Sequence, residues 1–163
     1  MISIIVAIAN DNVIGKDNKL IWHISEDLKR FKRITNNHKM NMGRKTFQSL
    51  PGVLPNREHI IITRDSNFNV DSNQVSICHD LDSLIKKYEN SEEEVFIIGG
   101  AEIYTQFLPH AHKLYLTRIN HNFDGDTYFP EINYDNFEIE STSEPIIDEK
   151  NNIEYKFINF IKK

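Results

Sequence analysis

The sequence predicts an α/β domain: a mostly parallel central sheet of about eight strands, about four flanking helices and an antiparallel C-terminal hairpin. Three observations carry that prediction. Nearly uninterrupted apolar runs recur at SIIVAIA (3–9), HIIITR (59–64) and EVFIIGG (94–100), the pattern of strands covered on both faces. Segments of helical period stand between them, so strand and helix alternate for two thirds of the chain. The tail then changes character, with 136–144 and 153–161 reading as two longer strands around a polar turn at Asp148–Asn152.

The elements follow in order. Strand 3–9 runs into a polar loop, 10–23. Over 25–35, Ile24, Leu28, Phe31 and Ile34 or Thr35 form an apolar stripe, while Glu26, Lys29, Arg30, Lys32 and Arg33 form the solvated one; Ser25 is the candidate N-cap. HKMNM (38–42) is a strand, and GRKTFQSL turns into a helix. VSIC (75–78) is a short strand, and Leu81, Leu84, Ile85 and Tyr88 give DLDSLIKKY (80–88) helical spacing. Glu92–Glu93–Glu94 reads as solvated loop. Strand 94–100 ends in two glycines, AEIYTQFL (101–108) is a helix stopped by Pro109, and KLYLTRI (113–119) is a strand. No repeat, low-complexity block or linker divides the chain, so residues 1–163 are read as one domain.

Bulk properties bound the function. The chain has 163 residues, 24 acidic and 19 basic, for a net charge of −5, which argues against a duplex-binding surface. Cys78 is the single cysteine, so no internal disulfide is expected and a reducing cytosol suits the chain. MISIIVAIAN lacks the basic start of a signal peptide, and no apolar run approaches the roughly 20 residues of a membrane span. The expectation is a soluble, cytoplasmic monomer that binds a small molecule, with neither nucleic acid nor membrane as partner.

Asp27 is the most informative residue, a carboxylate inside the apolar stripe of its helix, five residues after Trp22. A buried acid needs a partner or a task. Its simpler role is to complement the helix dipole in the first turn. Three strand ends are also distinctive, because ligands of open parallel sheets collect there. Gly43-Arg44-Lys45-Thr46 places two cations and a hydroxyl at a helix start, where free N–H groups bind phosphate. Thr63-Arg64 adds another cation, and Gly99-Gly100-Ala101 a turn that a pyrophosphate can approach closely. Singly, each reads as surface bases or a tight turn; together they point to a ligand with several phosphates. His110 and His112 in PHAHK lack a matching acid, so no metal is expected, and Cys78 reads as core.

Taken together these segments resemble bacterial dihydrofolate reductase over residues 1–163. ISIIVAIANDNVIG, KLIWHISEDLKRFKRIT, MGRKTFQSLPGVLPNR, FIIGGAEIYTQFLP, KLYLTRI and GDTYFP stand in the family's order, with the Trp22-x4-Asp27 spacing. The resemblance implies hydride transfer from NADPH to carbon 6 of the dihydropterin, with a proton delivered to nitrogen 5. It implies that Asp27 is the ionisable group of the pterin pocket, bridged by Thr117, and that Trp22 shields the site and holds a water. Ile5 and Ile98 would offer backbone carbonyls to the 4-amino group of antifolates such as trimethoprim and methotrexate. Leu28, Phe31 and Leu54 would line the pterin and benzoyl groups, and Arg57 would clamp the glutamate tail, a task for a bidentate donor. Arg44, Lys45, Thr46 and Arg64, with Gly43 and Thr63 beside them, would hold the cofactor phosphates, which favours NADPH over NADH. Ala7, Ile14, Gly15 and Tyr104 would border the nicotinamide. Gly99 and Gly100, joined by a cis peptide in the family, would continue the cofactor site through Ala101, Glu102 and Ile103. Loop 10–23 would be a mobile lid held closed by Gly125-Asp126.

Four positions depart from the family pattern. Ile21 replaces a proline, which frees φ and restores an N–H in the lid. Asn41 occupies a normally apolar strand position and needs partners there. Ala101 stands for a third glycine, and Gly52 for a second tail-binding arginine. Two other readings compete. A riboflavin-pathway pyrimidine reductase shares fold and cofactor, but its substrate needs phosphate binding instead of the Arg57 clamp. A non-catalytic folate- or nucleotide-binding regulator would bind both ligands without turnover.

Overall fold

In the computed structural model, which describes residues 1–17 and 19–163, the chain alternates as its periodicity predicts. The strands are β1 (Ile2–Ile8), β2 (Val13–Gly15), β3 (Lys39–Gly43), β4 (Glu58–Ile62), β5 (Val75–Cys78), β6 (Val95–Gly99), β7 (Lys113–Asn120), β8 (Thr127–Tyr128), β9 (Phe137–Thr142), β10 (Ile146–Asp148) and β11 (Ile153–Lys162). The helices are α1 (Ser25–Thr35), α2 (Arg44–Ser49), α3 (Leu81–Tyr88) and α4 (Ala101–Phe107).

Nine of these strands form the main sheet, in the order β10-β11-β7-β1-β6-β3-β4-β5, with β9 also paired to β11. Pairings from β5 across to β7 are parallel, and β11 runs antiparallel to β7, β9 and β10. The tail therefore holds three strands where the sequence reads two. Ser143-Glu144-Pro145 breaks the edge opposite β11 into β9 and β10, as a proline must in a ladder that needs its N–H. A further two-stranded sheet, β2 with β8, escapes the sequence reading because each member is only two or three residues long.

Alternation sorts the strand residues. Ile2, Ile4, Val6 and Ile8 of β1 pack with Leu84, Ile85 and Tyr88 of α3 and with Ile103, Tyr104 and Phe107 of α4. Ile5 and Ala7 point to the other face, which α1 covers. Burying so many branched side chains on both faces is the main source of stability, at roughly 25 cal/mol per Å² of apolar surface. Asn41 lies in this sheet with no exposure, and both its amide atoms lack a partner among the described residues.

α1 begins one residue earlier than the capping pattern predicts. Ile24 occupies the cap and offers no side-chain bond; its carbonyl accepts from Leu28 N at 3.2 Å. Ser25 is thus inside the helix. Arg30 also departs from the pattern, being buried at 6% exposure instead of solvated. α3 does carry a side-chain cap, Asp80 accepting from Asp82 N at 3.2 Å. Pro109 ends α4 in a short 3₁₀ turn.

Candidate active site

The carboxyl ends of β1, β3, β4 and β6 open onto a cavity of about 720 Å³. One part is apolar, with Ile5, Ala7, Leu28, Phe31, Leu50 and Ile98 around Asp27 and Thr117. The other is basic and hydroxylic, lined by Gly43, Arg44, Lys45, Thr46, Thr63 and Arg64, and beside it by Gly99, Gly100, Ala101, Glu102 and Ile103. Ile14, Gly15 and Tyr104 join the two. A second cavity, of about 740 Å³, lies near the amino ends of β3 and β4, with His38, Lys39, Arg57, Glu58, Glu93 and Glu94 on its lining. The first combines an acid in an apolar slot with a cationic rim, and that pairing of environments makes it the candidate active site.

Asp27 enters the apolar part from the first turn of α1, and Thr117 meets it from β7. The Thr117 hydroxyl donates to Asp27 Oδ1 at 2.5 Å, a charge-assisted bond. Burial raises the Asp27 carboxyl above the ordinary carboxylate range, while the Thr117 bond and the Arg30 charge pull it part of the way down. Oδ2 has no protein donor among the described residues, which leaves an acceptor for a ligand N–H. Tyr104 donates to the Ile5 carbonyl at 2.9 Å, and burial with the Asp27 charge nearby holds its phenol far above the usual range. It is therefore a neutral donor at any working pH.

At the basic end, Arg44 Nη1 lies 3.2 Å from Asp65 and Arg64 Nη2 lies 3.9 Å from Glu102, with Arg64 almost wholly in solvent. Such exposed pairs contribute little on their own and exchange readily for a phosphate. Gly99 takes φ +135°, and a Cβ there would stand 3.3 Å from Thr46 Oγ1, so this approach is open only to glycine. The Gly99–Gly100 peptide is cis.

The segment just before β8 holds the loop that follows β2. Asp126 N donates to Gly15 O at 3.1 Å, Asp17 N donates to Asp126 Oδ2 at 3.1 Å, and Lys16 pairs with Asp124 at 2.9 Å. Backbone contact is close here: a Cβ on Gly125 would sit 2.4 Å from Val13 Cγ1 and 2.8 Å from Gly15 O. Ile21 packs, partly buried, against the cluster that holds Val13, Trp22 and Ile24.

A sequence model of the dihydrofolate reductase family matches residues 1–162. The chain belongs to the dihydrofolate reductase family. Dihydrofolate reductase of Staphylococcus haemolyticus is 47% identical over 156 residues, covering 96% of this chain and 92% of the relative. That of Bacillus subtilis is 43% identical over 165 residues, covering 100% and 95%. A solved structure described as dihydrofolate reductase from Enterococcus faecalis complexed with NADP(H) and RAB-propyl matches with a TM-score of 0.89 and 32% identity, over 100% of this chain and 96% of that one. Whole-length matches of this kind leave the pyrimidine reductase without support.

Against that dihydrofolate reductase frame, most of the residues picked out in the sequence converge on the one cavity, while Leu54 and Trp22 stand behind its wall and Arg57 lines the second cavity. Leu54 is buried behind Phe31 with Met40, Met42 and Ile61. Trp22 is 7% exposed beside Phe123, its indole N–H without a partner among the described residues. Arg57 is 7% exposed and donates to Thr35 Oγ1 at 3.1 Å, to Lys32 O at 2.6 Å and to Pro55 O. Sequence reasoning missed Lys19, Leu20, Ser49, Leu50, Asp65 and Thr127 on the lining. Leu50 was findable, since it lies one helical turn beyond Thr46; Leu20, 61% exposed at the cavity lip, leaves no periodic signal. His110 does have an acid partner, Glu89 Oε1 at 2.8 Å, 21 residues upstream and invisible in the local motif. Among the described residues no three His, Cys, Asp or Glu side chains stand together as a metal site, and no helix is long and apolar enough to cross a membrane.

Proposed function

We propose that this chain catalyses NADPH-dependent reduction of 7,8-dihydrofolate to tetrahydrofolate, with Asp27 anchoring the pterin and organising its protonation. One observation carries the reading: Asp27, bonded to Thr117, sits in an apolar slot that continues into a cationic rim. A planar heterocycle with several N–H donors needs an acceptor of this kind, and a polyphosphate needs that rim.

The residues present fit the cofactor. Arg44, Lys45, Arg64, Thr46 and Thr63, with the N–H groups at the starts of α2 and α4, would hold its phosphates, and the glycine cradle at Gly43, Gly99 and Gly100 leaves backbone accessible. Ala7, Ile14, Gly15 and Tyr104 would border the nicotinamide, with Ala101, Glu102 and Ile103 beside it. When bound, NADPH supplies the hydride received at carbon 6.

The chain's own part is binding, orientation and electrostatics. Asp27 Oδ2 accepts pterin N–H bonds while Thr117 holds Oδ1. The anionic field of Asp27, strengthened by the apolar surroundings, raises the proton affinity of nitrogen 5; water delivers the proton, and the carboxylate keeps its charge. Ile5, Leu28, Phe31 and Ile98 enclose the rings, with Leu54 packed behind Phe31. Arg57 uses three of its five N–H groups on protein acceptors, leaving two for a glutamate carboxylate. Trp22 keeps an indole N–H for a water. The same Asp27 and the Ile5 and Ile98 carbonyls suit the diaminopyrimidine of antifolates such as trimethoprim and methotrexate. We place the enzyme in the cytoplasm as a monomer, with neither nucleic acid nor membrane as partner.

The test is loss of NADPH absorbance on adding dihydrofolate, with an NADH control and a methotrexate-inhibited control. Methotrexate-sensitive oxidation that prefers NADPH is the expected result. Tight binding of both ligands without oxidation would replace the reading by that of a regulator.

A further inference from the structure

A guanidinium ordinarily stays in water, yet Arg30 is 6% exposed. Its Nη2 donates to Asn159 Oδ1 at 2.6 Å, and its guanidinium carbon lies 4.4 Å over the Phe157 ring. Both ligands belong to β11 and both are neutral. Phe157 stands opposite Thr117 and Asn159 opposite Tyr115 in the β7–β11 ladder, so the clamp on Arg30 and the bond to Asp27 occupy neighbouring rungs. A buried cation held by neutral groups still needs a counter-charge.

The groups facing this region leave one candidate. On α1, Asp27 is one helical turn before Arg30, Arg33 repels it, and Glu26 pairs with Lys29 at 3.3 Å. On β7, Thr117 is uncharged, and Tyr115 is kept neutral by burial and by Glu94, to which its hydroxyl donates at 3.0 Å. Glu94 itself is engaged by Ser3 at 2.6 Å as well. Tyr104 of α4 and Tyr155 of β11 both face Asp27 as neutral phenols, raised mainly by burial. No ion pair within contact distance joins Arg30 to Asp27 among the described residues, so the two charges couple through the field.

We propose that Arg30 is a positioning residue for the reaction, a buried counter-charge clamped by Asn159 and Phe157 that keeps Asp27 anionic across the working pH range. The proposal rests on the reading of Asp27 as the pterin anchor. Desolvation favours the protonated form of that carboxyl; the Thr117 bond and the Arg30 charge each offset part of this, Arg30 without touching the ligand.

The experiment is a carbon-13 NMR titration of labelled aspartate carboxyls, with and without NADPH, in the wild type, Arg30→Met and Arg30→Lys, with Asp27→Asn assigning the signal. Arg30→Met keeps the packing volume and removes the charge, so Asp27 binds its proton about tenfold more tightly. The acidic limb of kcat/KM against pH moves upward in parallel, and Arg30→Lys restores most of both. Asn159→Leu, which leaves α1 untouched and releases the guanidinium, moves the titration the same way by less, and it serves if Arg30→Met does not fold. An unmoved Asp27 titration in Arg30→Met, or an equal movement in Arg30→Lys, overturns the proposal. A moved titration with an unchanged rate profile supports the coupling and overturns instead the role given to Asp27.

Discussion

Replacing Asp27 by asparagine should separate stability from catalysis. The substitution keeps shape and leaves an Oδ1 to accept from the Thr117 hydroxyl, now 2.5 Å from the carboxylate, while it removes the charge and turns the Oδ2 acceptor into an amide donor. Burial raises this carboxyl above its ordinary value of 3.8 even after the Thr117 bond and Arg30 have acted, so the charged form is a net cost to the folded chain. The sign follows by linkage. As pH rises past 3.8 the unfolded chain releases its proton before the folded chain does, and stability falls until the folded carboxyl has also ionised. Asp27→Asn removes that fall. At pH 8 the variant should be the more stable of the two, because wild type must there hold a charge that its burial disfavours. The advantage should shrink as the pH approaches 4. Turnover should drop about a hundred- to a thousandfold at neutral and high pH, the usual consequence of losing one preorganised electrostatic group. Urea denaturation at pH 5 and pH 8, with NADPH oxidation rates at the same values, reads both quantities. A variant less stable than wild type at pH 8 would refute the burial argument. Turnover within about threefold of wild type there, under 1 kcal/mol of barrier, would remove Asp27 from the mechanism.

Gly125→Ala would force a methyl to within 2.4 Å of Val13 and 2.8 Å of the Gly15 carbonyl, so the β2–β8 contact should open, hydrogen exchange at residues 13–17 should rise and kcat should change while global stability holds; unchanged exchange would mean the lid is not fastened there. Neutralising Arg44 and Arg64 together should raise KM for NADPH at least about tenfold, the weight of one charged contact of about 1.4 kcal/mol, and far more than it raises KM for NADH. Equal effects on both cofactors would show that neither cation reads the 2′-phosphate. Asn41→Leu should stabilise the chain by about 1–3 kcal/mol, because it replaces a fully buried amide whose two polar atoms have no protein partner, and a lower urea midpoint would count against that account.

How much of this was legible in the sequence depended on range. VSIC became β5 residue for residue and 25–35 became α1, because period and length report local packing. Strand-end motifs were legible for a similar reason: Gly43-Arg44-Lys45-Thr46, Thr63-Arg64 and Gly99-Gly100-Ala101 each sit where a strand stops, and a parallel sheet brings such ends to one side. Asp27 stood out because an acid in an apolar stripe breaks a local rule. Arg30 broke none, and was misread as solvated for that reason. Its burial depends on Asn159 and Phe157, 129 and 127 positions away, which no helical period encodes.

The sequence by itself thus determined the class of fold, the order of its elements and the kinds of chemical group collected at the strand ends. The tertiary structure alone decided which groups share an environment. It set Thr117 against Asp27, clamped Arg30 beneath them, fastened Gly15 to Asp126, and drew the Arg57 donors to Thr35, Lys32 and Pro55. The physical reason is that secondary structure follows from neighbours a few residues apart. Charge, burial and proton affinity instead follow from distance in space, which only the pairing of β7, β11 and α1 supplies.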